Sequence, residues 1–166
     1  MDTSSAREEI VKLAEALAER SDCQKRIEDL RGRLARCARV QEGEQPAEDT
    51  AALLAEVDRV FRRLLHLVTA INRTNAATAF AGQKTLSDAI AERDITGKKR
   101  DFCAHVAEVA STRQDRYSKS EVKFIATVAV GELQRQKDQL AKEYRELDTK
   151  IQELNWKTDV EIEESR

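Results

Sequence analysis

The stretch Leu53–Asn75, LLAEVDRVFRRLLHLVTAINRTN, decides the fold. Leu54, Val57, Phe61, Leu64, Val68, Ile71 and Asn75 follow one another at alternating spacings of three and four. That is one unbroken stripe down a helix. A second row, Leu53, Val60 and Leu67, widens the stripe into a broad apolar face. Such a helix is not stable alone in water and must pack against others. The stripe ends in a polar cluster, Asn72, Arg73, Thr74 and Asn75, where the chemistry of the surface changes.

Working outward, the same periodicity predicts three more helices. The first begins near Ser5, where Ser5 and Glu8 have capping-box spacing. Ile10, Leu13 and Leu17 form its first apolar stripe, and Cys23, Ile27, Leu30, Leu34 and Cys37 its second, to about Arg39. Gly43 and Pro46 mark a loop, with Pro46 or Asp49 opening helix two. After helix two ends near Ala76, Gly82-Gln83 reads as a turn, and Thr85 with Asp88 resembles a helix cap. Leu86, Ala89 and Ile90 then start helix three, and Ile95, Phe102, Val106 and Val109 resume its apolar stripe on a shifted face. Gly97 inside it costs about 1 kcal/mol relative to alanine and allows a close crossing or a kink.

The last helix keeps a strict heptad alternation through Leu133, Lys137, Leu140, Tyr144, Leu147, Ile151, Leu154 and Thr158, which suits coiled-coil pairing. Asp159–Arg166 is acidic and is expected to fray. Val122–Val130 is the ambiguous piece. Its β-branched alternation favours a short strand paired with 77–85, while Val122, Ile125, Ala129 and Leu133 also fit a helix capped by Ser118 and Glu121. The expected class is therefore all-α, an elongated antiparallel helical bundle or coiled coil of four main helices with a small two-stranded β patch. Residues 1–166 form one domain.

Composition narrows the function classes. Lys and Arg number 29 against 31 Asp and Glu, a net charge of −2, with the signs interspersed. No excess of either sign argues for a nucleic acid or a membrane as partner. No signal peptide and no apolar run of membrane-spanning length is present, so a cytoplasmic location is expected. Cys23, Cys37 and Cys103 form no CxxC and read as reduced small hydrophobes.

Catalytic chemistry finds no motif. There is no GxSxG, no HExxH and no phosphate-cradling glycine loop. Asp101, His105 and Glu108 share a helical face that a metal could use, but without a second motif the reading is a solvated stripe. No catalytic residue, metal or cofactor is assigned. The polar interruptions of the helices (Arg20 and Gln24; Asn72, Thr74 and Asn75; Glu92, Arg93 and Asp94; Tyr144, Arg145, Asp148 and Lys150) are read first as groups that set helix register. If a small ligand binds, its site is expected at Asn72, Thr74 and Asn75, with Arg93 and Asp94 nearby.

Four strings carry a family resemblance: VQEGEQPAED (Val40–Asp49), INRTNAAT (Ile71–Thr78), LSDAIAERD (Leu86–Asp94) and YRELDTKIQELNW (Tyr144–Trp156). They resemble the septicolysin-like family of small bacterial proteins over roughly residues 10–159. The family name implies a cytolysin, and the resemblance carries no catalytic residue with it. The expected function is a non-enzymatic helical assembly or scaffold protein, a homo-oligomer joined through helix four or helix one. The alternatives are a membrane-active oligomer, as the resemblance implies, and a small-ligand-binding protein.

Overall fold

A computed structural model describes residues 8–111 and 124–163. In chain order the elements are β1 (Glu8–Lys12), α1 (Leu13–Cys37), α2 (Thr50–Ala77), β2 (Ala79–Ala81), β3 (Lys84–Thr85), α3 (Leu86–Ser111), α4 (Val130–Lys157) and β4 (Asp159–Glu163). Four long helices of 25, 28, 26 and 28 residues dominate, as the apolar periodicity requires. The chain divides into two compact units, Met1–Thr78 with Glu153–Arg166, and Ala79–Gln152.

In the first unit α1 and α2 pack as an antiparallel hairpin. Ion pairs fix the register: Arg63 reaches Glu19 at 2.6 Å, Arg26 reaches Glu56 at 2.8 Å, and Arg33 binds Glu48. The partner on α2 moves toward its N-terminus as the partner on α1 moves toward its C-terminus. Asp49 caps α2, its carboxylate accepting from the Ala51 and Ala52 amides. Ile27, Leu30 and Cys37 of α1 and Leu53, Leu67, Ala70 and Ile71 of α2 form the buried seam.

This seam covers the expected broad apolar face of α2 unevenly. The row Leu53, Val60, Leu67 faces inward, whereas Leu54 and Phe61 of the longer stripe are 55% and 50% exposed. Adjacent residues on a helix point about 100° apart. Ile71, at the far end of the longer stripe, is buried with the Leu53 row, so the uncovered part of the apolar face is around Leu54 and Phe61.

The termini of the first unit hold a correction. Residues 8–12 are not the start of a capped helix but a strand. They pair antiparallel with β4 in the register Glu8↔Glu163, Ile10↔Glu161 and Lys12↔Asp159. The segment 159–163, expected to fray, is this partner strand, with Val160 and Ile162 fully buried. Alternation supplies the reason: Val160 and Ile162 point to one side and the acids to the other. Ser5 lies outside the described residues. α1 opens instead at Lys12, whose amide donates to the Glu15 carboxylate at 2.8 Å.

In the second unit β2 and β3 form a short hairpin, Ala79↔Thr85 and Ala81↔Lys84, turned by Gly82 at φ 61°. Thr85 and Asp88 cap α3 reciprocally: the Thr85 amide donates to the carboxylate at 2.8 Å and the Asp88 amide donates to the hydroxyl at 3.2 Å. α3 and α4 meet antiparallel, Arg93 against Asp148 at 3.0 Å and Cys103 against Gln136 at 3.8 Å. Between these contacts Gly97 lies under the Tyr144 ring, where an added Cβ would stand 3.2 Å from a ring carbon. Gly97 thus gives room to the Tyr144 ring.

The expected strand at 122–130 does not form in its described part. Residues 124–129 hold no helix or strand and are exposed, and α4 begins at Val130. The partner assigned to it, 77–85, satisfies its own backbone by folding into β2–β3. Residues 122 and 123, and the alternative cap at Ser118 and Glu121, lie outside the described residues.

Candidate functional site

The seam between α1 and α2 leaves an open apolar groove on one side of the hairpin. Its volume is about 660 Å³, and Ile27, Leu34, Leu54, Val57 and Phe61 supply most of its walls. The local cause is the double apolar row of α2. With the Leu53 row buried against α1, Leu54, Val57 and Phe61 form one wall of a groove that stays open to solvent. Leu34 and Ala35 of α1, and Ala38 just after it, continue the apolar surface toward Pro46. Leu65, one turn beyond Phe61, extends the exposed apolar row outside the groove.

Charges around the groove are already matched within the hairpin. Arg31, its one charged lining residue, donates to Glu28 at 3.0 Å. Arg33 binds Glu48 across the helices, and this contact holds the Glu48 carboxyl below its ordinary value and the Arg33 guanidinium above its own. Further along, Arg63 bridges Glu19 and Glu9, whose hydrogen bonds outweigh its partial burial and raise its pKa. Burial, and then the Glu19 charge, push the nearby Cys23 thiol up. The groove thus offers apolar contact and little unsatisfied charge.

The residues expected to form a ligand site fall in both units. In the first unit, Asn72 is exposed and Thr74 and Asn75 are half-buried. Thr74 lines a polar hollow of about 460 Å³ with Arg73, Thr78 and Thr158. Its carbonyl is occupied by the Thr78 amide and hydroxyl, at 2.9 and 2.8 Å. The Asn75 Oδ1 is buried without a hydrogen-bond partner among the described residues. In the second unit, Arg93 chelates Asp94 at 2.8 Å and Asp148 at 3.0 Å. Burial works against the Arg93 cation, and the two carboxylates outweigh it, so its pKa is raised. That contact ties α3 to α4. Among the described residues no cluster of three or more His, Cys, Asp or Glu could hold a metal ion. His105 and Asp101 are exposed on α3.

The groove itself was not among the expected sites. Its signal is present in the sequence as the two parallel rows on α2, since one neighbour cannot cover both.

Comparison with known proteins places this architecture. The profile of a family of unknown function, DUF6847, matches residues 20–160. The crystal structure of a functionally unknown conserved protein from Corynebacterium diphtheriae is 45% identical, with a TM-score of 0.86. The alignment covers 92% of this chain and 99% of that one. No curated protein matches. These matches overturn the septicolysin-like resemblance. Two of the strings that carried it, Leu86–Asp94 and Tyr144–Trp156, lie within helices whose apolar-charged alternation recurs wherever a helix has one wet and one packed face. The cytolytic implication goes with the resemblance.

Proposed function

We propose that this chain, which belongs to the DUF6847 family of unknown function, is a non-enzymatic helical assembly protein whose copies associate through the α1–α2 hairpin. The observation that carries the reading is the unfilled apolar groove with Leu54 and Phe61 half exposed along it. A two-helix layer with one apolar side open needs a second layer to bury it. The occupant that fits is an identical hairpin. The rim charges are paired internally through Arg26–Glu56, Arg33–Glu48 and Arg31–Glu28, so a partner needs to supply apolar surface and no net charge. A two-fold arrangement places Phe61 of each copy in the groove of the other and makes a four-helix layer from two hairpins. Helix one is then in the interface, as the sequence suggested. The unpaired Cys23, Cys37 and Cys103 fit a reducing, cytoplasmic compartment.

Light scattering on the full chain tests this. The expected mass is a multiple of 18.8 kDa at micromolar concentration. Phe61→Glu combined with Leu54→Glu should return a monomer with unchanged helix content, because both positions are already half exposed. A wild-type monomer, or an oligomer indifferent to the double variant, overturns the proposal.

A further inference from the structure

On α3, Ile95, Phe102 and Val109 stand seven residues apart and are all exposed, Phe102 to 68%. Seven-residue spacing keeps them on one face of the helix. A different set of residues, Ala89, Gly97, Cys103 and Ala107, supplies the buried side of α3. Near Val109 the exposed row joins a second apolar feature. His105, Val106, Val109 and Ala110 make one wall of a hollow of about 420 Å³, and residues 124–128 make the other. Phe124 and Ile125 there are 79% and 83% exposed.

The charges on this face are unbalanced in one place. Lys98 and Lys99 lie three and four residues from both Ile95 and Phe102, so they share the face. Both are exposed, and neither has an ionic partner among the described residues. The neighbouring acids are engaged: Arg93 holds Asp94 at 2.8 Å and Arg100 holds Asp101 at 2.8 Å. The face therefore presents large apolar side chains and two unmatched cations.

We propose that this face seats the protein on an anionic lipid surface. Phe102, Val109, Phe124 and Ile125 enter the interfacial apolar layer, and Lys98 and Lys99 meet lipid phosphates while their stems lie along the apolar row. An anionic bilayer surface supplies apolar depth and negative charge together. A second copy of the same face supplies the apolar surface but brings the same two unmatched lysines. The contact is peripheral, since no helix among the described residues is long and apolar enough to cross a membrane. The expectation that the membrane is not a partner came from a net charge of −2 over the whole chain, which averages away a local cationic face. The inference is independent of self-association through α1 and α2.

Co-sedimentation of the full chain with vesicles of phosphatidylcholine alone, or mixed with phosphatidylglycerol, tests it. Binding to the mixed vesicles, weakened by salt, is expected. Lys98→Glu with Lys99→Glu should lower the mixed-vesicle affinity by about 30-fold or more, taking about 1 kcal/mol per lysine removed. Phe124→Ser with Ile125→Ser should lower it too, with helix content unchanged in both variants. No binding, or equal binding to neutral and anionic vesicles, overturns the proposal. So does an increase in mass in solution that the Phe124/Ile125 variant abolishes while vesicles are ignored, because the face then takes a second copy.

Discussion

Replacing Leu67 by alanine separates the two apolar rows of α2 more cleanly than any other single change. Leu67 is fully buried in the α1–α2 seam. Losing three carbons removes about 2.4 kcal/mol of transfer free energy at about 0.8 kcal/mol per methylene. The cavity left behind adds to that, and buried leucines truncated to alanine lose about 2–5 kcal/mol. A central loss of about 3 kcal/mol lowers the melting temperature by about 6–12 °C for a chain of this size. Leu54, thirteen residues away in the adjacent row, keeps more than half of its surface in water. Its truncation should cost the monomer under about 1 kcal/mol. Urea titrations followed by circular dichroism give both values. If Leu54 takes part in an oligomer, its effect grows with protein concentration, while that of Leu67 does not. The assignment of the seam is refuted if Leu54→Ala costs more than Leu67→Ala when both proteins are monomeric.

Three further outcomes follow from contacts described above. Ile162→Ala should destabilise the first unit by about 2–5 kcal/mol, since Ile162 is fully buried; a melt indistinguishable from wild type would restore the frayed-tail reading of 159–163. Gly97→Val should destabilise by about 1–3 kcal/mol by overpacking against Tyr144, whose ring is held from another side by Arg100 at 5.1 Å; a higher melting temperature would show that helix propensity outweighs the clash. The Glu48 carboxyl is lowered by the hydrogen bond from Arg33 and secondarily by its charge. Its contribution to stability is present above the unfolded carboxyl value of about 4.3 and is lost as pH falls through the lower folded value. Wild type should therefore exceed Glu48→Gln in stability at neutral pH, and the gap should close in acid; a gap that persists at pH values below the folded one would contradict the pairing.

Local signals in the sequence were reliable where local chemistry decides. Thr85 and Asp88 cap α3 because a hydroxyl and a carboxylate three residues apart satisfy two free amides in any context. The heptad of α4 is visible because Leu133, Tyr144, Leu147 and Ile151 share one side of the helix and lose solvent together. Gly97 stood out in an apolar helical stripe, and it is there that the Tyr144 ring packs, with an added Cβ left only 3.2 Å from it. The misses share a different cause. Residues 8–12 read as helix because Ile10, Leu13 and Leu17 have helical spacing, and nothing local reveals a partner strand at 159–163. Residues 124–129 read as strand on their β-branched alternation, yet their assigned partner closes on itself at Gly82. Of the expected ligand residues, Arg93 and Asp94 form the pair that adjacency allows, while Asn72 stays in water and the Asn75 carbonyl is buried. The groove escaped notice because it is defined by a missing neighbour, and periodicity reports which faces are apolar without saying how many will be covered.

The pairing of β1 with β4 has a consequence for biosynthesis. The Lys12–Asp159 contact spans 147 residues of chain, and the whole of the second unit, Ala79–Gln152, is inserted between the two parts of the first. At about 5–20 residues per second of synthesis, β1 waits about 7–30 s for its partner strand. During that interval the α1–α2 hairpin has its seam but not its closing ladder, whereas the inserted unit, continuous in sequence, can fold as soon as it emerges. The first unit is thus completed only after the unit inserted in it has been made, and until then the nascent chain carries an unpaired strand edge, Glu8–Lys12.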